Sequence, residues 1–463
     1  MKDSSRMTRR VFLGSLAGAA GGLVLSRRAF GGETKPDDPH FFLQVLVTGG
    51  MDSTCLLDAR PLEMTAAKLQ QNYTGKEPVP WKGNNGNQTL AAPAAEALRP
   101  LLQDICVVNG VIMSTTFDGH DQNLNVCLTG NPFGGPSAIS RLNLDKPLDY
   151  LKVGSLLGAE LDDSRFVPLT PAGALALKSR LPTSGENQFS IDPFLQARCR
   201  EAATGSSRFA TGAQALGNAT AQSLSLTDRL RALELPPLVP PTPTNDGSIP
   251  VVELEQNLAL MGEFFRRGIA QSALFDITGN MIIDAHSAPL AKGHAELCTT
   301  TANRFAQIIT YLKNTPFDGS RSLLDVTTVM FASEFSRTMR QLDRPIDDTG
   351  TDHNPFSNSI LFAGKGIRAG AVLGGSDFQS SNEELSGAHL SLDAGKLKRM
   401  GLPVDFETGL VTGAKPAEYT ANGYLTIASV VNAVYTLFGV DRQHHWENGR
   451  SLGPSPVLAA LCR

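Results

Sequence analysis

The sequence has no excess of positive charge. Its 463 residues hold 41 lysines and arginines against 45 aspartates and glutamates, a formal net charge of −4. Phosphate backbones are neutralised by clustered cations, so this balance gives no reason to expect a nucleic-acid partner. Cysteine is sparse: six residues, at 55, 106, 127, 199, 298 and 462, with no C-x-x-C spacing. That rules out a disulfide scaffold, although any one pair is free to bridge in an oxidising compartment and the spacing does not choose among them. No apolar stretch of membrane length follows the N-terminus. What is present is globular in character, with 41% hydrophobic and 19% charged residues. The length suits one large α/β domain or two ordinary ones.

The N-terminus reads differently from the rest. "MTRRVFLGSLAGAAGGLVLSRRAFGG" pairs Arg9 with Arg10, follows them with Phe12 and Leu13, and continues as a weakly apolar Ala/Gly/Leu run. The run from Leu13 to Leu25 is short for a bilayer and broken by glycine. Residues 1–32 are therefore expected to be a twin-arginine signal peptide, with Arg27 and Arg28 as a tolerated basic flank. A general secretory signal or a basic terminus are the plainer readings. The twin-arginine reading implies the export machinery as a partner, a periplasmic or extracellular location, no integral membrane segment after signal removal, and metals loaded before export. Residues 40–463 are expected to form a single domain.

Within that domain, "FFLQVLVTGGMDS" is a continuous apolar run stopped by two glycines, the pattern of a buried parallel strand entering a loop. "AAPAAEALRPLLQDI" predicts a helix and "CVVNGVIM" a second strand. Residues 205–250 are looser and end in "ELPPLVPPTPTNDGSIP", whose prolines mark a surface segment. Leu254, Leu258, Met261 and Phe265 recur at helical spacing, as do Phe305, Ile308, Ile309 and Leu312. "NMIID", "VTTVMFAS" and "NSILFAG" predict further strands, and "TIASVVNAVYTLFG" a late helix that Gly439 ends. Strands alternating with helices predict an α/β fold, a three-layer α/β/α arrangement around a mostly parallel doubly wound sheet.

Ligands of such sheets bind in the loops leaving the strand ends. Asp52 follows the first run. His120 stands in "STTFDGHDQ" between Asp118 and Asp121, Asp284 and His286 in "NMIIDAHS", Glu334 in "VMFASEF", and Asp352 and His353 in "GTDHN". Carboxylates and neutral imidazoles are ligands for zinc, manganese and similar divalent ions. Two such ions would clamp the attacking and leaving oxygens of a phosphoryl-type transfer. Each residue also has a plain reading. Asp52 suits a turn or helix cap, Glu334 an ion pair with Arg337, and His120 an ordinary loop position.

The leader, "VTGGMDS", the "HDQ" region, "IIDAHS", "MFASEFSRT", and "GTDHN" followed by "LFAGKGIRAGAVLGG" together carry a resemblance. The chain resembles the exported family catalogued as domain of unknown function 1501, within the alkaline phosphatase and sulfatase-like superfamily. The resemblance implies an alkaline-phosphatase-like fold. It implies that Asp52, Asp352 and His353 share one metal, and that Asp284 and His286 hold a second, whose closing histidine stays open, with His389 in a plausible place for it. Zinc, manganese, calcium and magnesium all remain open as the cofactor. Superfamily hydrolases also need a nucleophile between the metals. No C-x-P-x-R or S-x-P-x-R segment exists here, which leaves formylglycine chemistry unsupported. Ser53, Thr54 and the Ser114–Thr116 cluster, Thr115 among them, are the candidate hydroxyls. The expectation is thus an exported metal-dependent hydrolase of a small-molecule or polysaccharide phosphate or sulfate ester, with His120 and Glu334 assisting. The rival is a secreted metal- or anionic-polymer-binding protein that keeps the fold without catalysis.

Overall fold

The computed structural model describes residues 38–61, 76–114, 119–129, 151–153, 167–181, 226, 228–338, 350–378, 399–412, 423–440, 444–447, 450–454 and 456–462. The leader, Thr115, Asp118, His389 and residues 205–225 lie outside them. Among the described residues, fourteen strands precede the last α-helix. β1 is Phe41–Val47, β2 Val79–Lys82, β3 Gln88–Ala91 and β4 Ile105–Val111; β5 is Leu151–Val153, β6 Val167–Pro168 and β7 Ser272–Asp276. β8 is Thr327–Ser333, β9 Ser336–Arg337 and β10 His353–Asn354, followed by β11 Asn358–Gly364, β12 Val372–Gly374, β13 Ser376–Phe378 and β14 Arg399–Gly401. The principal sheet has the order β12-β4-β11-β8-β1-β7-β5-β6. All its pairings are parallel except the two made by β11, which runs antiparallel to β4 and β8.

Strand alternation builds the layers. Phe41, Leu43, Val45 and Val47 of β1 share one core with Leu254, Leu258, Met261 and Phe265 and with Phe305, Ile308, Ile309 and Leu312. Those two sets are the buried stripes of helices α3 (Val251–Arg266) and α4 (Ala288–Asn314), after the shorter α1 (His120–Thr129) and α2 (Pro171–Arg180). Phe42 and Leu46 point to the opposite face, into a second core with Leu124 and Leu128 of α1 and with Val430, Val431 and Val434 of α5 (Ile427–Leu437). A strand buried on both faces must be apolar at every position but one or two, as β1 is. The sheet is therefore the middle of three layers, as the sequence predicts. Among the described residues no helix is long and apolar enough to cross a membrane.

Two local expectations fail. Pro93–Leu101 is a 3₁₀ helix rather than an α-helix; Pro100 lacks the N–H that an α-helical turn would use. "NMIID" is not a strand: the fourth strand partner beside the centre is "SALFD", β7, which pairs with β1. The 280s segment instead closes against residues 247–249, with Asn280 N–H donating to Gly247 O at 2.7 Å and Gly279 at φ 61°. Its apolar alternation is real, with Met281 and Ile283 buried and Ile282 exposed, but the Asn280 and Met281 N–H groups donate to the loop carbonyls of Gly247 and Thr278 rather than to a neighbouring strand. Helix α5 ends as predicted, with Gly439 at φ 66° two residues past its last turn.

Phe331 of β8 lies in the first core with its ring centroid 4.7 Å from that of Phe305. Phe331→Ala is expected to lower unfolding free energy by about 3–5 kcal/mol, read from denaturant midpoints at an unchanged slope.

Candidate metal centre

The carboxyl ends of β1, β7 and β8 lie on one edge of the sheet because the three strands are parallel. β11 runs the other way, so its leading segment enters at that same edge. This is why the "GTDHN" loop, which precedes β11, meets loops that follow the other strands. The loop is held on two sides. Thr351 N–H donates to Ala285 O at 2.8 Å, and a Cβ on Gly350 would fall 2.1 Å from the His286 backbone, so only glycine permits this approach. On the other side β10 pairs with β9, His353 opposite Arg337, while Asp352 N–H donates to Thr338 Oγ1 at 2.8 Å.

Three imidazoles and a carboxylate converge there. His286 Nε2 stands 2.8 Å from His353 Nε2 and 3.1 Å from Asp284 Oδ1, and His120 Nε2 is 3.5 Å from Asp284 Oδ2. One ligand atom from each of His120, Asp284, His286 and His353 lies within 4.8 Å of the others. Two of the rings are backed by acids. His120 Nδ1–H donates to Glu334 Oε1 at 2.8 Å, and His286 Nδ1 faces Asp352 Oδ1 at 3.7 Å. A carboxylate behind the outer nitrogen turns the inner nitrogen's lone pair toward the centre, the arrangement that metal-ligating histidines use. Glu334 itself is buried and is stabilised by Gly49 N–H at 2.6 Å and Ser333 Oγ–H at 3.0 Å. It does not pair with Arg337.

Arg337, wholly buried, donates instead to Asp284 Oδ1 and Gly49 O, and through Nε to Gly50 O at 2.8 Å. Those carbonyls are presented by a β1 loop turned through Gly49 and Gly50 at φ 110° and 71°. Partial burial alone would raise the Asp284 carboxyl, but the hydrogen bond from His120 and the Arg337 guanidinium outweigh it and hold the group well below the usual range. For His120, burial works against the charged form; the bonds to Asp284 and Glu334 prevail and raise it to about 9. The acids around the cluster thus favour positive charge at its centre.

The donor set fits a divalent ion of the zinc or manganese kind. Two Nε2 atoms 2.8 Å apart can share only one proton between them. Around an ion with bonds of about 2.0–2.1 Å, tetrahedral nitrogens sit roughly 3.3 Å apart, so seating one asks the rings to open by only a few tenths of an ångström.

The other candidate residues lie elsewhere. Asp52 is fully buried and caps its own turn, its Oδ1 accepting Thr54 N–H at 2.9 Å with Arg399 3.6 Å away. Ser53 Oγ lies between Ser336 Oγ and Arg399, each 2.9 Å away. Arg399 also donates to Asp58 Oδ2 at 2.7 Å. Among the described residues one converging group is present, and it joins His353 to Asp284 and His286 rather than to Asp52. Sequence reasoning missed the parts of Arg337 and Arg399. The sign of the former was its place in "SEFSRT", beside Glu334; Arg399 carried no signal.

The sequence profile of the family described as "Protein of unknown function (DUF1501)" matches residues 266–408, bearing out the resemblance. The match spans Asp284, His286, Glu334, Arg337, Asp352, His353 and Arg399. No curated protein matches the chain. Solved structures similar to it include the following three. The lipoteichoic acid synthase LtaP from Listeria monocytogenes is 9% identical with a TM-score of 0.29, over 77% of this chain and 73% of its own. A protein in the alkaline phosphatase superfamily from Vibrio parahaemolyticus is 9% identical with a TM-score of 0.29, over 94% and 76%. The PsFucS1 sulfatase from Pseudoalteromonas sp. is 11% identical with a TM-score of 0.28, over 96% and 80%.

Two outcomes are expected. Because Arg337 fixes Asp284, Arg337→Lys should weaken metal binding about 10–100-fold, measured by competition with a chromogenic chelator. In chelator-treated protein, His120 is raised from 6.5 to about 9. Its raised value stabilises the fold fully below pH 6.5, and that contribution is lost as pH climbs through about 9. The stability gap between wild type and His120→Gln should therefore close across that window in thermal melts at stepped pH.

Proposed function

We propose that the chain is an exported metal-dependent hydrolase of phosphate or sulfate esters, with His120, Asp284, His286 and His353 as the metal ligands. The observation that carries this is the convergence of His120, His286 and His353 with Asp284, one ligand atom of each within 4.8 Å of the others, with Glu334 and Asp352 behind two of the rings. A bound divalent ion would supply Lewis acidity toward an ester oxygen. The chain's own residues do the rest. Glu334 holds the proton of His120 on Nδ1, Asp352 orients His286, and Arg337 fixes the Asp284 carboxylate. The side chains of His120, Asp284 and His286 are 37%, 39% and 43% exposed, which leaves the cluster open on one side to an incoming ester. Export rests on the paired arginines of the leader.

The proposed nucleophile belongs to the Ser114–Thr116 stretch, which leads directly into the His120 end of α1. Ser53 is less suited, since its hydroxyl is locked between Ser336 and Arg399. That locked hydroxyl is also what favours the second reading, a secreted metal-binding protein without turnover.

Elemental analysis of the purified protein, followed by aryl phosphate and aryl sulfate assays, separates the readings. Near-stoichiometric metal is expected, with turnover on one ester class and both lost in Asp284→Ala. Stoichiometric metal without turnover on any ester would turn the conclusion to the binding protein. Undiminished metal in Asp284→Ala would overturn the site.

A further inference from the structure

The stretch from Glu334 to Arg337 reaches the imidazole cluster through more than its two charged ends. Glu334 backs His120 and Arg337 holds Asp284. Between them stands Phe335, an apolar side chain with no exposure to water. Its ring lies against two of the three imidazoles. The His353 ring is centred 4.3 Å away with the planes at 33°, and the His120 ring 4.9 Å away at 53°. These two imidazoles meet each other edge to face at 4.5 Å and 81°, and His286 packs on His353 at 4.6 Å.

Phe335 is also confined from behind. A Cβ on Gly50 would fall 2.1 Å from its Cε2, and the Arg337 guanidinium stands 5.6 Å from its centroid. The ring is therefore wedged between the turn after β1 and the two imidazoles. A hydrogen bond to the outer nitrogen of an imidazole fixes one direction in its plane and leaves rotation about that line. A flat apolar neighbour restrains that rotation. The face of a phenyl ring is also the negative part of its quadrupole. An imidazole that has given its lone pair to a cation is electron-poor, so the contact strengthens when an ion is seated.

We propose that Phe335 is a positioning residue of the metal centre, its ring setting the angles at which His120 and His353 present their nitrogens. The inference rests on the metal reading of the cluster. Phe335 acts through the two imidazoles and not by contact with ion or substrate. Two neighbours thus divide the work on His120: the Glu334 carboxylate decides which nitrogen is free, and the Phe335 ring decides where it aims. A leucine in its place would fill much of the volume without a flat face, and both imidazoles would lose their common support.

The test uses the full chain, freed of metal by chelator, as wild type, Phe335→Leu and Phe331→Leu. The last removes a ring from the first core, outside the cluster. Zinc and manganese affinities are read by competition with a chromogenic chelator, beside thermal melts. Phe335→Leu should bind about tenfold more weakly than wild type, the scale of one or two aromatic contacts. Phe331→Leu should melt lower with its affinity unchanged. In metal-free wild type carrying labelled phenylalanine and histidine, nuclear Overhauser contacts should join the Phe335 ring to His120 and His353, a readout that needs no variant to fold. Wild-type affinity in Phe335→Leu would overturn the proposal, as would equal losses of affinity in the two leucine variants or absent contacts to both imidazoles. A wild type that takes up neither ion would instead overturn the metal centre itself, and this inference with it.

Discussion

A guanidinium with no exposure to water must find its partners inside the protein, and Arg337 finds them on two separate loops. Its donors reach the carbonyls of Gly49 and Gly50 after β1 and the carboxylate of Asp284 after β7. Its own strand, β9, pairs with the strand that carries His353. One side chain thus ties two of the segments that carry the cluster, the Asp284–His286 loop and the His353 strand, to the turn after β1. The glycines serve the same contact. A Cβ on Gly50 would lie 2.1 Å from the Phe335 ring, so the loop can turn its carbonyl toward Arg337 only where that atom is missing.

The electrostatics of the cluster follow from this frame. Asp284 is ionised because a fixed cation stands beside it, and its charge with that of Glu334 draws a proton onto His120 in the absence of anything stronger. The centre therefore calls for positive charge, which a proton supplies weakly and a divalent ion supplies well. Below it, Asp52, Asp58 and Arg399 satisfy one another in the dry interior. Breaking such a pair leaves an unpaired buried charge, a cost of about 3–5 kcal/mol, which gives these residues a structural reason to be what they are.

Much of the fold was legible in the sequence. Continuous apolar runs such as "FFLQVLV" and "TTVMFAS" are buried on both faces, and helical spacing picked out the stripes of α3 and α4. "SALFD" went unseen because it is short and preceded by a helix that runs almost into it, while "NMIID" had the composition of a strand but no free neighbour to pair with. The site was legible in part. Adjacent polar residues after strands identified Asp284, His286, Asp352, His353, Glu334 and His120, because chemistry at a sheet edge has to come from those loops. Asp52 had the same sequence context and a different surrounding. Its carboxylate turned inward to a backbone amide, which depends on where Arg399 falls in space, and no local pattern encodes that.

The central claim is that three imidazoles and Asp284 surround one divalent ion. X-ray absorption at the metal edge of the loaded protein reads that shell directly. The account predicts about three imidazole nitrogens at roughly 2.0–2.1 Å with their outer-ring scattering, plus light oxygen ligands, and loss of one imidazole in His353→Ala. A shell of oxygens alone, unchanged by that substitution, would contradict it.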